Sequence, residues 1–354
     1  MAKNQSDSSR GKAVAALCLV LALLGAGGYG AMHIVENMET VQTDSVPVPA
    51  QFTTTAVTTE PPDPNALECT EKQMFVSDIK SGNLVLVNNT HPTVDLTKDK
   101  LVSVYETRGA HVHVKDINVM LQPEAAEAFN ALADGFFRAT GKEDLLVMNG
   151  YRTKDDQARI NKQNPGTAAP AGCSDYETGL ALELRLIQNG KYADFDGTGD
   201  YKWVLDHAAQ YGFVVRFPEG KQAQTGYDYA PAHLRYVGIP HASFMASHEM
   251  CLEEYLDELN DHLYGTLNLP VAGADGASYI VYRFRPADRS EATVNVPVPK
   301  DVPYTVSGDH IDSYIIAAKT ETGTVSHAAE AVTAAPADAQ NAASSTTTTA
   351  EPTL

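Results

Sequence analysis

The stretch TGYDYAPAHLRYVG, from Thr225 to Gly238, decides the fold of this chain. It places His233 and Arg235 two residues apart, directly after Pro231 and Ala232. Because residues two apart in an extended strand point to the same face, we expect His233 and Arg235 to face one cleft. The pattern therefore predicts a strand that carries functional side chains.

Regular patterns elsewhere predict the elements around this strand. Pro123–Thr140 predicts a helix, because Pro suits the first turn, Gly141 suits the exit, and apolar residues recur every three or four positions. The predicted strands are 83–88, 144–148, 180–187 and 213–217, and the further helices are 156–162, 200–211 and 241–263, the last broken near Met250. Helices beside a small antiparallel sheet make an α+β domain, to which we assign residues 68–265.

The character of the chain changes after this domain. Runs at 278–284, 291–298 and 302–306 predict strands interrupted by Pro and Gly. We therefore expect a small C-terminal β module over residues 266–322. Residues 323–354 are rich in Ala, Thr and Ser with few large apolar side chains. Such a segment cannot form a core, so we expect a disordered tail.

The N-terminal part predicts export and a spacer. Residues 13–35 contain no Asp, Glu, Lys or Arg, and basic residues precede them. A run of this length can cross a membrane, and the positive flank favours a cytoplasmic N-terminus. We assign residues 1–39 to a cytoplasmic tip and transmembrane anchor, with a cleaved signal peptide as the alternative. Residues 40–67, rich in Thr and Pro, predict an extended linker to an extracellular body.

Net charge and cysteine content limit the partners and cross-links. The formal net charge of −19 argues against nucleic acid or an anionic membrane surface as a partner, because both select basic surfaces. Cys69, Cys173 and Cys251 fall in the extracellular part, where one disulfide can form and leave one thiol over. The sequence does not choose a pair, and the other interpretation is that these are small buried residues.

Three further segments carry side chains of catalytic and binding type. They read NGYRTKDDQ at 149–157, SDYETGLALE at 174–183 and YGFVVRFPEGK at 211–221. Together with 225–238 they resemble the VanY-like zinc D-alanyl-D-alanine carboxypeptidases, which remove the terminal D-alanine from peptidoglycan stem peptides. The resemblance implies a zinc D-Ala-D-Ala carboxypeptidase-like fold for residues 68–265 and a role in the cell wall.

The resemblance also implies a zinc ion held by two His and one Asp, with a Glu as general base. In this chain the ligand positions are Tyr176, Glu183 and His233, and the base position is Ala230. Tyr binds a metal only as a phenolate, which its high pKa resists. Ala232 stands where the family has a Trp. The residues that would cleave a peptide bond are therefore largely replaced.

The residues that would hold the substrate are better retained. Arg152 matches the family Arg, which the resemblance directs at the carbonyl or carboxylate of the substrate. Gln157 and Ser174 match residues that the resemblance places at the polar ends of the substrate. The fork of an Arg side chain suits a carboxylate because it can donate two parallel hydrogen bonds.

These substitutions favour a pseudoenzyme, an exported and membrane-anchored relative that binds peptidoglycan stem peptide or another cell-envelope protein. Zinc, the metal of the family, is expected to bind weakly or not at all, because a lost ligand weakens the whole site. The alternative is an active metallo-D,D-carboxypeptidase with a rearranged metal site. A third interpretation is a structural surface protein whose cleft has no ligand.

Overall fold

The computed structural model describes residues 63–93 and 100–321. The predicted anchor at 1–39, nearly all of the linker at 40–67 and the tail at 323–354 lie outside these residues. No helix within the described ranges has both the length and the apolar character needed to cross a membrane.

The described chain contains fourteen strands and seven α-helices, joined by loops and short 3-10 turns. The strands are β1 Cys69–Phe75, β2 Val102–Ser103, β3 His113–Val114, β4 Met120–Leu121, β5 Leu145–Asn149, β6 Ala181–Gln188, β7 Lys191–Asp194, β8 Phe213–Val215, β9 His233–Tyr236, β10 Leu269–Ala272, β11 Ser278–Phe284, β12 Thr293–Pro299, β13 Tyr304–Gly308 and β14 Tyr314–Glu321. The helices are α1 Val104–Thr107, α2 Pro123–Thr140, α3 Lys154–Gln163, α4 Lys202–His207, α5 Gln222–Thr225, α6 Ile239–Ser247 and α7 Leu252–Glu258.

The central sheet has the order β3-β5-β6-β9-β8, with β7 paired to β6. Strands β5 to β9 pair in antiparallel fashion, and β3 runs parallel to β5. Helix α2 packs its apolar face against this sheet, with Phe129, Leu132 and Phe136 fully buried. The predicted α+β class, a small antiparallel sheet flanked by helices, is confirmed.

Most predicted helices form where their start and stop signals lie. Helix α2 occupies Pro123–Thr140 as predicted, and Gly141 ends it in the left-handed conformation with φ 72°. The predicted helix at 200–211 is split into α4 and two flanking 3-10 turns before Gly212. The predicted break near Met250 separates α6 from α7.

The predicted strand at 83–88 is wrong, although the segment is buried. Leu84 and Leu86 pack into one apolar cluster and Val85 packs into another. Successive side chains therefore point to opposite sides because the segment lies between two cores. No strand among the described residues pairs with it. Instead Nη2 of Arg235 donates to the carbonyl oxygen of Val85 at 2.9 Å, which satisfies backbone that a strand partner would otherwise satisfy.

The C-terminal β module is a four-stranded antiparallel sheet of order β10-β11-β14-β13. Strand β11 forms at Ser278–Phe284 as predicted, whereas β10 and β14 were not anticipated. Strand β12 pairs with β1 in a separate two-stranded sheet, whose apolar side chains pack against β11 and β14. One apolar cluster contains residues of α6, α7, β10, β11 and β14, and the module therefore shares its core with the helices beside the central sheet.

Candidate functional site

The candidate site is a cavity of about 600 Å³ beside the central sheet. Strand β6 contributes Glu183, strand β9 contributes His233, and the 3-10 turn Asp175–Thr178 contributes Tyr176. The cavity is lined by Val87, Arg152, Gln157, Asn164, Thr167, Ala168, Ala169, Cys173, Ser174, Asp175, Tyr176, Glu183, Arg185, Phe217, Tyr227 and His233. The predicted binding residues and all three predicted ligand positions therefore meet in one place.

The turn that carries Tyr176 is held from both ends. The carboxylate of Glu177 accepts from the backbone N–H of Gly172 at 2.8 Å and from that of Ser174 at 3.1 Å. Gly179 ends the turn with φ 70°, a conformation that an L side chain rarely adopts. These contacts fix the backbone on either side of Tyr176, so the direction of its ring is set by the fold.

The ring of Tyr176 forms the centre of a stack. The imidazole of His233 lies 4.5 Å from it between centroids, with an interplanar angle of 22°. The guanidinium carbon of Arg152 lies 3.8 Å from the same ring centroid, within the range of a cation–π contact. The ring of Phe217 meets His233 edge-on at 5.0 Å.

Arg152 is largely buried but has few partners. Its Nη1 donates to Oε1 of Gln157 at 3.3 Å, and Gln157 in turn donates to the carbonyl oxygen of Ala169 at 2.7 Å. Its Nη2 lies 3.8 Å from the carboxylate of Glu183, and only 16% of the Arg152 side chain is exposed. A guanidinium carries five N–H donors, so most of those of Arg152 are available to a ligand in the cavity.

Glu183 is surrounded by protein donors. Nδ2 of Asn149 donates to its Oε2 at 2.5 Å. Nε of Arg185 lies 3.7 Å from its Oε1, in addition to the contact with Arg152. Two guanidinium groups therefore lie within 4 Å of this carboxylate and compensate its charge.

His233 and Tyr176 both remain neutral. Burial lowers the pKa of His233 to about 3, with the positive charges of Arg216, Arg152 and Arg235 adding to the effect and Asp175 opposing it. Nε2 of His233 is buried and has no hydrogen-bond partner among the described residues. Burial raises the pKa of Tyr176, and the nearby Glu183 carboxylate raises it further. Tyr176 is therefore a phenol and not a phenolate.

This donor set does not fit zinc. A zinc site needs three or four deprotonated ligands that converge on one point. Tyr176 keeps its proton, Glu183 faces two guanidinium groups, and His233 alone offers a free nitrogen. In residues 63–93 and 100–321, no group of three or more His, Cys, Asp or Glu side chains is arranged to hold a metal.

The base position contributes no chemistry. Ala230 accepts a hydrogen bond from the backbone N–H of His233 at 3.0 Å and donates its own N–H to Phe217 at 3.0 Å. Its methyl side chain is not part of the cavity wall. The Glu that the resemblance places here has no counterpart at this position.

The expectation that Arg235 faces the cleft is wrong. Its side chain is fully buried and ion-paired with the carboxylate of Asp175, which also pairs with Arg216. Arg216 in turn donates two hydrogen bonds to Glu253, at 2.9 and 2.7 Å. Although burial alone would raise the pKa of Asp175, the two Arg side chains lower it. We call Asp175, Arg216, Arg235 and Glu253 the buried ion cluster.

Sequence reasoning missed this cluster, although it left a signal. Arg216 interrupts the apolar segment FVVRF at 213–217, where a charged residue on a buried strand requires a partner.

The sequence also left open whether the three cysteines form a disulfide. Cys69, Cys173 and Cys251 are free thiols, and Cys251 is buried in line with the second interpretation, whereas Cys173 lines the cavity.

Comparison with known proteins agrees with the fold. Residues 118–239 match the VanY family model, described as D-alanyl-D-alanine carboxypeptidase. The chain is 29% identical over 257 residues to a D-alanyl-D-alanine carboxypeptidase of Enterococcus faecium, covering 70% of this chain and 78% of the relative. It is 35% identical over 158 residues to VanXYC, a bifunctional D-Ala-D-Ala dipeptidase and carboxypeptidase of Enterococcus gallinarum, covering 41% of this chain and 81% of the relative.

A solved structure shares the architecture. The vancomycin-resistance D,D-dipeptidase VanXYg, crystallised with a D-Ala-D-Ala phosphinate analogue, matches with a TM-score of 0.61 and 23% identity. The match covers 71% of this chain and 99% of that one. At this identity the likeness describes the fold.

Proposed function

We propose, since the chain belongs to the VanY family of D-alanyl-D-alanine carboxypeptidases, that its cleft binds the carboxyl end of a peptidoglycan stem peptide and does not cleave it. The relatives are named for their action on D-Ala-D-Ala. This chain would therefore bind the same class of peptide as its relatives without cleaving it.

The observation that carries the binding half is the state of Arg152. This cation is mostly buried, opens onto a cavity of about 600 Å³ and makes one hydrogen bond to the described part of the chain. A buried cation with unused donors favours an anion, and a peptide carboxylate matches the guanidinium fork. Gln157 and Ser174 line the same cavity, and Gln157 accepts a hydrogen bond from Arg152.

The non-catalytic half follows from chemistry at two positions. Cleavage of a peptide bond by water needs a general base beside the attacking water, and Ala230 has none. It also needs an electrophile that stabilises the developing oxyanion, which in a metallopeptidase is the metal. Tyr176 as a neutral phenol cannot complete that metal site.

Binding is tested by calorimetric titration of the full-length protein with diacetyl-L-lysyl-D-alanyl-D-alanine. The matched control is the same peptide with a C-terminal carboxamide, which lacks the carboxylate. We expect saturable binding of the acid and much weaker binding of the amide. Equal affinity for the two peptides would contradict the role given to Arg152.

The metal part is tested by elemental analysis after purification without chelators. The natural chain should contain far less than stoichiometric zinc, because Tyr176 and Glu183 are not available as ligands. The double variant Tyr176→His with Ala230→Glu should gain zinc, with slow release of D-alanine if the positioning groups still suit the substrate. Stoichiometric zinc in the natural chain, lost in His233→Ala, would favour the alternative of an active metallo-D,D-carboxypeptidase.

The location proposed is the outer face of a cell membrane, with residues 13–35 as an uncleaved anchor. The support is the apolar run and the basic residues before it. Protease added to intact cells should remove the folded domain. N-terminal sequencing that begins near Ala31 would show a cleaved signal peptide in its place.

A further inference from the structure

Tyr176 differs from the other buried tyrosines of this protein. The hydroxyl groups of Tyr255, Tyr282 and Tyr314 each have a partner, namely Nδ1 of His241 at 2.7 Å, the carbonyl oxygen of Pro297 at 2.8 Å and that of Phe75 at 2.6 Å. The hydroxyl of Tyr176 has no hydrogen-bond partner among residues 63–93 and 100–321. A tyrosine with a buried ring normally satisfies its hydroxyl, so this exception calls for a cause.

The unpartnered hydroxyl belongs to a residue of the cavity wall. Tyr176 is 8% exposed and lines the cavity of about 600 Å³. Although its hydroxyl oxygen has no partner in the described chain, that oxygen is not sealed from solvent. The ring is therefore buried while its hydroxyl opens onto the cavity.

A second unpartnered polar atom belongs to the ring that stacks on Tyr176. Nε2 of His233 is sealed and without a partner in the described chain, and His233 is 8% exposed. Its ring stacks on that of Tyr176 and lines the same cavity. The sealed nitrogen is costly to the free protein unless a ligand completes it, and the hydroxyl beside the cavity is available to the same ligand.

We infer that Tyr176 is a ligand-binding residue, whose hydroxyl donates a hydrogen bond to an acceptor oxygen at the carboxyl end of the bound peptide, so that the cleft recognises its ligand without a metal ion. The inference rests on the proposed function. The guanidinium of Arg152 stacks on the Tyr176 ring, so the charged donor and the neutral donor stand side by side. Together they present hydrogen-bond donors to an anionic group at a position where the relatives of this chain are expected to place zinc.

The stack also positions the donor. The turn is pinned by Glu177 and ended by Gly179, and the ring lies against both Arg152 and His233. A donor that cannot rotate away loses little entropy when a ligand arrives. Tyr at position 176 therefore supplies a binding group where a metal ligand is lost.

The test compares Tyr176→Phe with Tyr229→Phe in the full-length protein. The first change removes only the unpartnered hydroxyl, and the second removes the hydroxyl of an exposed tyrosine outside the cavity wall. Affinity for diacetyl-L-lysyl-D-alanyl-D-alanine is measured by calorimetry with and without EDTA. We expect about a tenfold or greater loss for Tyr176→Phe, no change for Tyr229→Phe, and no effect of EDTA on the natural chain.

The thermal midpoint of the ligand-free variants provides a second measurement. Because the Tyr176 hydroxyl has no protein partner, Tyr176→Phe should leave the midpoint unchanged or raise it. A lower midpoint would show that the hydroxyl serves the fold and would overturn the inference. Natural affinity in a stably folded Tyr176→Phe would overturn it while leaving the proposed function intact. If the natural chain does not bind the peptide, both the inference and the proposed function fail.

Discussion

Tyr176 and His233, which we call the cleft wall, lie within two residues of members of the buried ion cluster in sequence. The polar groups of the two regions differ in whether they have partners. Asp175 and Tyr176 are neighbours on one turn, and His233 and Arg235 share strand β9. On the cluster side, Asp175, Arg216 and Arg235 are each buried and ion-paired. On the cleft side, Tyr176 and His233 have polar atoms without a partner in the described chain.

This difference separates what holds the fold from what awaits a ligand. Buried charges are tolerated when they are paired, and a set of paired charges fixes the position of the elements that carry them. Polar groups without a protein partner do not stabilise the free protein. The cluster therefore serves as the support, and the cleft wall as the recognition surface that it positions.

The largest effect is expected from breaking the support. Asp175→Asn would leave Arg216 and Arg235 without their shared carboxylate, and removal of one partner from a buried ion pair costs about 3–5 kcal/mol of unfolding free energy. Urea unfolding followed by circular dichroism measures the loss. A loss below about 1 kcal/mol, the range of exposed pairs, would show that the cluster is not a support.

On the cleft side, the strongest effect should be on binding and not on stability. Arg152→Met removes the unused donors and the positive charge but keeps much of the side-chain volume. A hydrogen bond to a charged group contributes about 1.5–3 kcal/mol, so the dissociation constant should rise roughly 10- to 150-fold. Calorimetry gives the affinity, and urea unfolding should show little change. An unaltered dissociation constant would show that the ligand binds at another part of the protein.

A smaller effect is expected where the C-terminal β module meets the segment behind the cleft. Oγ of Ser307 accepts from the backbone N–H of Leu84 at 2.8 Å, and Leu84 is fully buried. Ser307→Ala would leave that N–H without an acceptor, at a cost of about 1–3 kcal/mol. Urea unfolding should show one shared transition at a lower midpoint. Two separate transitions would indicate that the module folds on its own.

The smallest effect is expected at the surface. Asp206 pairs with Lys202 on the exposed side of α4, at a spacing of four residues. Asp206→Asn should change the unfolding free energy by no more than about 0.5 kcal/mol, because such helix pairs contribute little. This variant is the matched control for Asp175→Asn, since both replace an ion-paired Asp by Asn. A comparable loss at the two positions would erase the contrast between buried and exposed pairs.

The sequence predicted the elements with clear boundary signals. Helix α2 has Pro123 at its start and Gly141 at its end, and strand β11 is an apolar run bounded by loops. The family motifs placed Arg152, Gln157, Ser174, Tyr176, Glu183 and His233 in one cavity. Local patterns are sufficient for these features because each is set by residues near one another in the chain or by an inherited motif.

Local sequence patterns could not predict features that depend on contacts between residues far apart in the chain. Residues 83–88 look like a strand, but their backbone is satisfied by Arg235 and Ser307, more than a hundred residues away. The alternation of side chains along a strand predicts that Arg235 shares a face with His233. It does not predict which residues cover that face, and Arg235 was therefore wrongly assigned to the cleft. The stack of Arg152, Tyr176 and His233 also depends on three separate segments.

The most direct test of the central claim is the amount of free D-alanine released from diacetyl-L-lysyl-D-alanyl-D-alanine by stoichiometric full-length protein, with zinc added in excess. Binding without cleavage predicts that the peptide is recovered intact after prolonged incubation and that no D-alanine appears above the protein-free control. Zinc-dependent release that is abolished in His233→Ala would contradict the account and establish an active metallopeptidase.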